Sequence, residues 1–87
     1  MLRITESTKN GQAWLELEGR LVGPWVEVCR GVCARANALG PGPALDVREV
    51  RFADAAGVRF LREMDAAGRI AATSSFLLEL LRSEDRT

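Results

Sequence analysis

Residues 45–58 constrain the fold of this chain more than any other stretch, because they join a strand pattern directly to a helix start. Leu45 and Val47 alternate with polar neighbours, as the residues of a half-buried strand do. We expect a compact loop to follow, held to the core by Val50 and Phe52. The stretch therefore predicts a short buried strand and an anchored loop ahead of a helix.

Asp54 marks the start of that predicted helix. Its carboxylate can accept hydrogen bonds from the free N–H groups of a first helical turn. Beyond it, one face carries small and apolar residues at helical spacing: Gly57, Val58, Phe60, Leu61 and Met64. The other face carries charged residues: Arg59, Arg62 and Glu63. We expect the function of the chain to centre on the first turn, residues 54–57.

Asn10 and Gly11 separate two alternating segments, residues 2–7 and residues 13–18. An Asn-Gly pair between such segments is the strongest short-range signal for a β-hairpin. The chain is therefore predicted to begin with two antiparallel strands. A turn over residues 19–24 is expected to lead from the second strand into a helix.

Trp14 lies on the polar side of the second predicted strand, together with Glu16 and Glu18. It either covers the end of the hairpin or anchors a partner or a second copy of the chain, because tryptophan is enriched at interface hot spots. The sequence leaves both alternatives open.

Residues 22–39 form the first predicted helix, with Pro24 suited to its first turn. Its broad apolar face comprises Val22, Trp25, Val26, Val28, Cys29, Val32, Cys33, Ala36 and Leu39. We expect the two cysteines to pack in the core, because one helical turn of separation does not suit a disulfide and no further metal ligands accompany them. Residues 40–43, with alternating glycine and proline, are expected to end the helix.

The last third of the chain predicts two further elements. Residues 66–68 read as the end of the second helix, and residues 69–72 as a short edge strand. Residues 73–75 offer N-caps for an apolar helix over residues 76–82. The resulting order is β-β-α-β-α-β-α, an α/β fold with a mixed four-stranded sheet and helices mainly on one face. We expect residues 1–87 to form one domain.

Composition narrows the function. The chain has no histidine, which removes the commonest general base and metal ligand, and no nucleophile is paired with a base. We therefore expect neither an enzyme nor a bound metal or cofactor. Twelve basic and twelve acidic residues balance, which does not favour nucleic-acid binding. No stretch is apolar enough to enter a membrane or to act as a signal peptide, so a cytoplasmic location is expected.

Four short motifs occur in order along the chain. They are Leu-Glu-Leu-Glu-Gly at residues 15–19, Leu-Asp-Val at 45–47, Phe-Ala-Asp-Ala-Ala-Gly at 52–57 and Thr-Ser-Ser-Phe at 73–76. Together with the order of elements, they resemble the STAS domain, the module named from sulfate transporters and anti-sigma factor antagonists. The resemblance covers most of the chain.

The resemblance also identifies a departure. In anti-sigma factor antagonists, the partner kinase phosphorylates the serine directly after the aspartate of the third motif, and this releases the partner. Here that position is Ala55, and Ala56 replaces the next serine. The resemblance therefore implies a bacterial regulator of transcription that phosphorylation at the usual site cannot switch.

For such an interaction module, the expected partner-binding residues surround the helix entry. They are Arg51, Asp54, Ala55, Ala56, Gly57, Val58 and Arg59. Leu77 with Leu78 is expected to extend an apolar edge. The implied partner is an anti-sigma factor of the serine-kinase type.

Three alternatives stay open. The resemblance also fits a cytoplasmic subunit of a lipid- or solute-transporting ABC complex. A second alternative is a nucleotide- or anion-sensing module, since four arginines lie near the helix entry: Arg48, Arg51, Arg59 and Arg62. A third is a homodimer formed through Trp14.

Overall fold

The structure, a computed structural model, describes residues 2–37 and 43–84 as four strands and three helices. The strands are β1 (Leu2–Lys9), β2 (Gln12–Leu21), β3 (Ala44–Ala53) and β4 (Ile70–Ala72). The helices are α1 (Gly23–Asn37), α2 (Ala55–Ala66) and α3 (Ser75–Glu84). This is the predicted order of elements. Leu39 and positions 40–42 of the predicted helix stop lie outside the described residues.

The hairpin forms as predicted. Asn10 and Gly11 both have positive φ, 53° and 78°, and they join Lys9 to its antiparallel partner Gln12. Two positive-φ residues in a two-residue loop make a type I′ turn, whose twist matches that of the strands. β2 continues to Leu21, so the turn expected over residues 19–24 is confined to its end. The extension forms because the last residues of β2 pair with β3.

The sheet is mixed and four-stranded, in the order β1-β2-β3-β4. β1 and β2 are antiparallel, whereas β2, β3 and β4 are mutually parallel. One core contains residues from the inward side of the strands and from all three helices, including Leu17, Val47, Cys29, Phe60 and Leu77. The helices therefore share one face of the sheet, as predicted, and the opposite face carries no helix of the described chain.

β3 differs most from the prediction. The expected strand and loop are one continuous strand of ten residues, in which the loop residues form two irregularities of pairing with β2. Glu16 and Glu18 of β2 pair with Asp46 and Glu49, so two β3 residues oppose Leu17. Arg51 is a second extra residue, between those that pair with Gly19 and Arg20. Both are β-bulges, which insert one residue and bend the strand.

The bulges change which β3 side chains enter the core. From the first bulge onward, buried residues recur at every third position of β3. They are Val47, Val50 and Ala53. The expectation that Val50 packs in the core is confirmed. Phe52 is instead 41% exposed, so its expected burial is wrong. The extra residue at Arg51 shifts Phe52 to the outer face.

The helices largely follow their predicted faces. In α2 the buried residues are Gly57, Val58, Phe60 and Leu61. In α1 both cysteines are buried and free, whereas Val28 is 45% exposed, so its predicted burial is wrong. The two helices are joined by an ion pair of 2.6 Å between Arg30 and Glu63. α2 ends at Ala66, and Gly68, two residues on, has a φ of 72° that accompanies a hydrogen bond from Arg69 N to Met64 O.

Gly57 allows α2 to approach the end of β2 closely. A Cβ atom at this position would lie 2.2 Å from the backbone oxygen of Leu21 and 3.1 Å from Ala53 Cβ. Because backbone atoms cannot move aside as a flexible side chain can, the first turn of α2 packs against β2 only with glycine here. Gly57 therefore positions the helix entry.

We expect Gly57→Ala to lower the free energy of unfolding by about 2–3 kcal/mol, because the added methyl group overpacks a backbone contact. Urea denaturation measures the change. Gly31→Ala in α1 is the matched control, since its Cβ would meet only Arg35 Nη1 at 3.9 Å. The control should raise stability by about 0.5–1 kcal/mol. Equal effects of the two variants would contradict the assigned contact.

Candidate functional site

The three helices begin at one edge of the sheet. β2, β3 and β4 are parallel, so their carboxyl ends lie together, and each is followed by a helix. Gly23, Ala55 and Ser75 are the first residues of these helices. Loops at the carboxyl ends of parallel strands commonly carry function. The predicted site therefore lies at the edge where such sites are usual.

Asp54 joins two of the three helix starts. Its Oδ1 accepts a hydrogen bond of 2.8 Å from Gly57 N, which confirms the predicted N-cap of α2. Its Oδ2 accepts a second, of 2.9 Å, from Gly23 N at the start of α1. These bonds, that of Gly23 first, hold the pKa of the Asp54 carboxyl below its usual value. One charged carboxylate thus fixes two helix starts relative to each other.

The first turn of α2 is only partly exposed. Ala55 is exposed, and Ala56 is half-buried against the core. Gly57 and Val58 were predicted to bind the partner, but they are buried and are not presented to it. They face the sheet because they lie on the apolar side of the helix. Of the predicted partner-binding residues in α2, Ala55 and Arg59 are therefore the ones presented at the surface.

The four arginines near the helix entry have separate surroundings. Arg48 donates two hydrogen bonds to Asp46, of 3.1 and 2.8 Å, and Arg51 lies 3.7 Å from Glu49. Arg62 donates a 2.8 Å hydrogen bond to Leu81 O, which connects α2 to α3. Arg59 is exposed on α2. These contacts do not gather the four side chains around one anion, and Asp54 already binds the first-turn N–H of Gly57.

The pair formed by Asp46 and Arg48 is a feature that sequence reasoning missed. Asp46 is 8% exposed, and it also accepts a hydrogen bond from the backbone N–H of Arg48. The Arg48 guanidinium is the main cause of a lowered pKa at the Asp46 carboxyl. An acidic residue inside a strand, with arginine two positions on, is the signal that identifies such a pair. The Arg48 guanidinium stabilises the charged carboxylate of Asp46, next to the first bulge of β3.

Two exposed aromatic side chains flank the same sheet edge, and neither was predicted to be exposed. The Phe52 ring lies 4.6 Å from the Arg20 guanidinium, a cation–π contact. Phe76, at the start of α3, is 48% exposed. The expected apolar edge of α3 is wrong for Leu77, which is fully buried, whereas Leu78 is 46% exposed. The apolar surface at this edge is therefore aromatic as well as aliphatic.

Trp14 lies on the open face of the sheet, away from the helix entry. It is half-buried, and Lys9 Nζ lies 4.5 Å from the centroid of its ring. It lines a groove of about 330 Å³ together with residues that include Pro43, Ala44 and Ala71. The contact with Lys9 agrees with a side chain that covers the hairpin. The alternative role as an interface anchor stays a prediction.

The cysteines are poorly placed for chemistry. Burial, more than the neighbouring Cys33, raises the pKa of the Cys29 thiol to about 12. Burial also raises the pKa of Cys33. Within residues 2–37 and 43–84, no three histidine, cysteine or acidic side chains come together as metal ligands. In that same part of the chain, no helix has the length and apolar character needed to cross a membrane.

A scan against protein-family models gives no match for this chain, and a search of curated proteins finds no relative.

We expect Asp54→Asn to lose stability mainly above about pH 4. Because the folded pKa of Asp54 lies below the unfolded value of about 3.9, its charge stabilises the fold above that pH. The contribution disappears as the pH falls through the folded pKa. Denaturant unfolding between pH 7 and pH 2 should therefore show a gap between wild type and variant that narrows in acid. Glu6→Gln, at an exposed position of β1, is the control for removing a carboxylate. A gap that stays constant with pH would contradict the role of the charge.

Proposed function

We propose that this chain is a non-catalytic protein-interaction module of the STAS type, similar to an anti-sigma factor antagonist. It binds its partner with the surface around the start of α2, and phosphorylation does not switch it there. The observation that carries the proposal is the position of Ala55. It is exposed, it is the first residue of α2, and it follows an aspartate that fixes two helix starts.

The chemistry of this surface favours a protein partner. A methyl group at Ala55 lets the backbone of another molecule come close to the helix start. Arg51 and Arg59 are exposed, and Phe52 adds an exposed aromatic ring on the β3 side. Aromatic residues and arginine are enriched at protein interfaces. A partner with acidic groups around a flat apolar centre fits this arrangement.

Ala55 has no hydroxyl group, so phosphorylation at this position cannot regulate partner binding. Alanine cannot accept a phosphoryl group, and Ala56 is alanine as well. The carboxylate of Asp54 is already committed to Gly23 and Gly57. The module therefore stays competent to bind its partner without a kinase-dependent release at this position.

The non-catalytic part of the proposal rests on the chain's reactive groups. There is no histidine to act as a base at neutral pH. The Cys29 thiol, with a pKa of about 12, stays protonated at neutral pH and is a poor nucleophile. A binding role is the simpler use of the exposed helix start.

We expect Ala55→Asp to weaken partner binding while the fold survives, because negative charge near a helix start is locally favourable to the helix. Affinity capture from the native host, quantified by mass spectrometry, should lose a specific partner in the variant. Circular dichroism should be unchanged. Ala34→Asp, at an exposed position near the C-terminal end of α1 and therefore away from the helix starts, should retain the partner. Retention of every partner by Ala55→Asp would contradict the assigned surface.

The identity of the captured protein separates the two partner classes. A kinase-like anti-sigma factor supports control of transcription, whereas an ATPase or permease supports a transport complex.

We further expect Ala55→Ser to create a phosphorylation site, provided that the partner is a serine kinase of the anti-sigma type. Incubation with that partner and ATP should add one phosphate to the variant and none to wild type, as measured by intact mass. Phosphate on wild type would contradict the proposal that the module is not switched here.

A further inference from the structure

β4 leaves the second half of β3 without a neighbour on one side. It has three residues and pairs with β3 only at Leu45 and Asp46. Beyond Asp46, β3 pairs with β2 on one side, apart from its bulge residues, and no strand among the described residues lies on the other. A strand edge with free N–H and C=O groups is a template for pairing with another chain.

The surface beside this edge is concave. A groove of about 300 Å³ runs along it, between β3 and the start of α3. The groove is lined by Arg48, Glu49, Val50, Arg51, Ser74 and Phe76. The side chains that line it from β3, apart from Val50, are charged and exposed. An incoming strand would therefore meet a row of charges.

The order of those charges is self-complementary about Val50. In an antiparallel pair of two identical strands centred on Val50, Glu49 of each copy lies opposite Arg51 of the other. The same register places Arg48 opposite Phe52 of the other copy, a pairing of a guanidinium with an aromatic ring. A two-fold interface requires the surface to match itself, and this stretch does so.

The faces agree with such a pairing. Glu49 and Arg51 lie on one side of β3, as their 3.7 Å contact shows, and Val50 points into the core on the helix side. A two-fold axis normal to the sheet keeps the faces of both copies aligned. The product is an eight-stranded sheet with all helices on one side.

We infer that a second copy of this chain docks on the free edge of β3, forming a two-fold dimer by antiparallel pairing of β3 strands centred on Val50. The Glu49–Arg51 contacts between copies fix the register. The inference does not rest on the proposed function. The dimer surface shares Arg51 and Phe52 with the surface assigned to the partner, whereas Glu49 lies outside it, so Glu49→Arg tests the dimer separately from partner binding.

Charge reversal tests this inference, with sedimentation equilibrium as the measurement of dimer affinity. Glu49→Arg and Arg51→Glu each place like charges opposite one another twice in the dimer, and each should weaken it by about tenfold or more at low salt. The double variant, which exchanges the two residues, should restore the dimer. Circular dichroism checks that each variant is folded.

A mixture of the two single variants gives the sharpest result. One copy then carries two arginines and the other two glutamates, so a heterodimer should form where neither variant forms a homodimer. Native mass spectrometry distinguishes the species by mass. Glu6→Arg on the opposite edge strand β1, an equal change of charge at an exposed position, should leave the dimer intact.

Three outcomes would overturn the inference. The first is a wild-type chain that remains monomeric at several hundred micromolar. The second is a failure of the charge-reversal pattern, seen either as a dimer that tolerates both single reversals or as a mixture of the two variants that yields no heterodimer. The third is a dimer that Trp14→Ala abolishes while the reversals do not, which would place the interface on the open face of the sheet.

Discussion

The carboxylate of Asp54 is the contact on which the geometry of the helix-start edge depends. It is bound by one N–H from α2, three residues on, and by one from α1, thirty-one residues back. The start of α2 also depends on Leu21, the last residue of β2, because its backbone oxygen accepts a hydrogen bond from Asp54 N and faces Gly57. The ends of β2 and β3 and the starts of α1 and α2 thus form one hydrogen-bonded unit. Ala55 projects from this unit, so its position is set by backbone contacts rather than by a flexible loop.

The bulges of β3 have a separate effect, on the outer surface. Without the extra residue at Arg51, strict alternation from Val50 would direct Phe52 into the core. With it, Phe52 contacts Arg20 on the outside and Ala53 enters the core instead. β3 also passes beyond β4, because β4 has three residues and stops at Ala72. One strand therefore provides both the approach to the helix start and the uncovered edge.

The parts of this fold that depend on neighbouring residues were predictable from sequence. The Asn10–Gly11 turn, the α2 cap by Asp54, the α3 cap by Ser74 and the glycine end of α2 are all local, and the structure contains each. The order of elements follows from the same signals.

Features that require a distant partner were not predictable. The bond from Gly23 to Asp54 joins positions far apart in sequence. The bulges arise from register with β2, and alternation alone gave a loop in their place. In the sequence, Gly57 looks like any other small residue of the helix. The reason why no side chain fits there is the position of Leu21 O, which the sequence does not reveal. Near the candidate site, the start of α2 at Asp54 was predictable, whereas the residues of its first turn that reach the surface were not.

The common start of the three helices also gives the molecule an electrical direction that its formal charge of zero conceals. Each helix runs back against the parallel strand that precedes it, so all three peptide dipoles point the same way and add. Their positive ends lie at the edge that carries Ala55, where Asp54 offsets part of the field of two of them. A neutral chain of this kind turns in the field of a charged surface before it makes contact. An acidic surface would therefore meet the helix-start edge first, and a basic one the opposite edge.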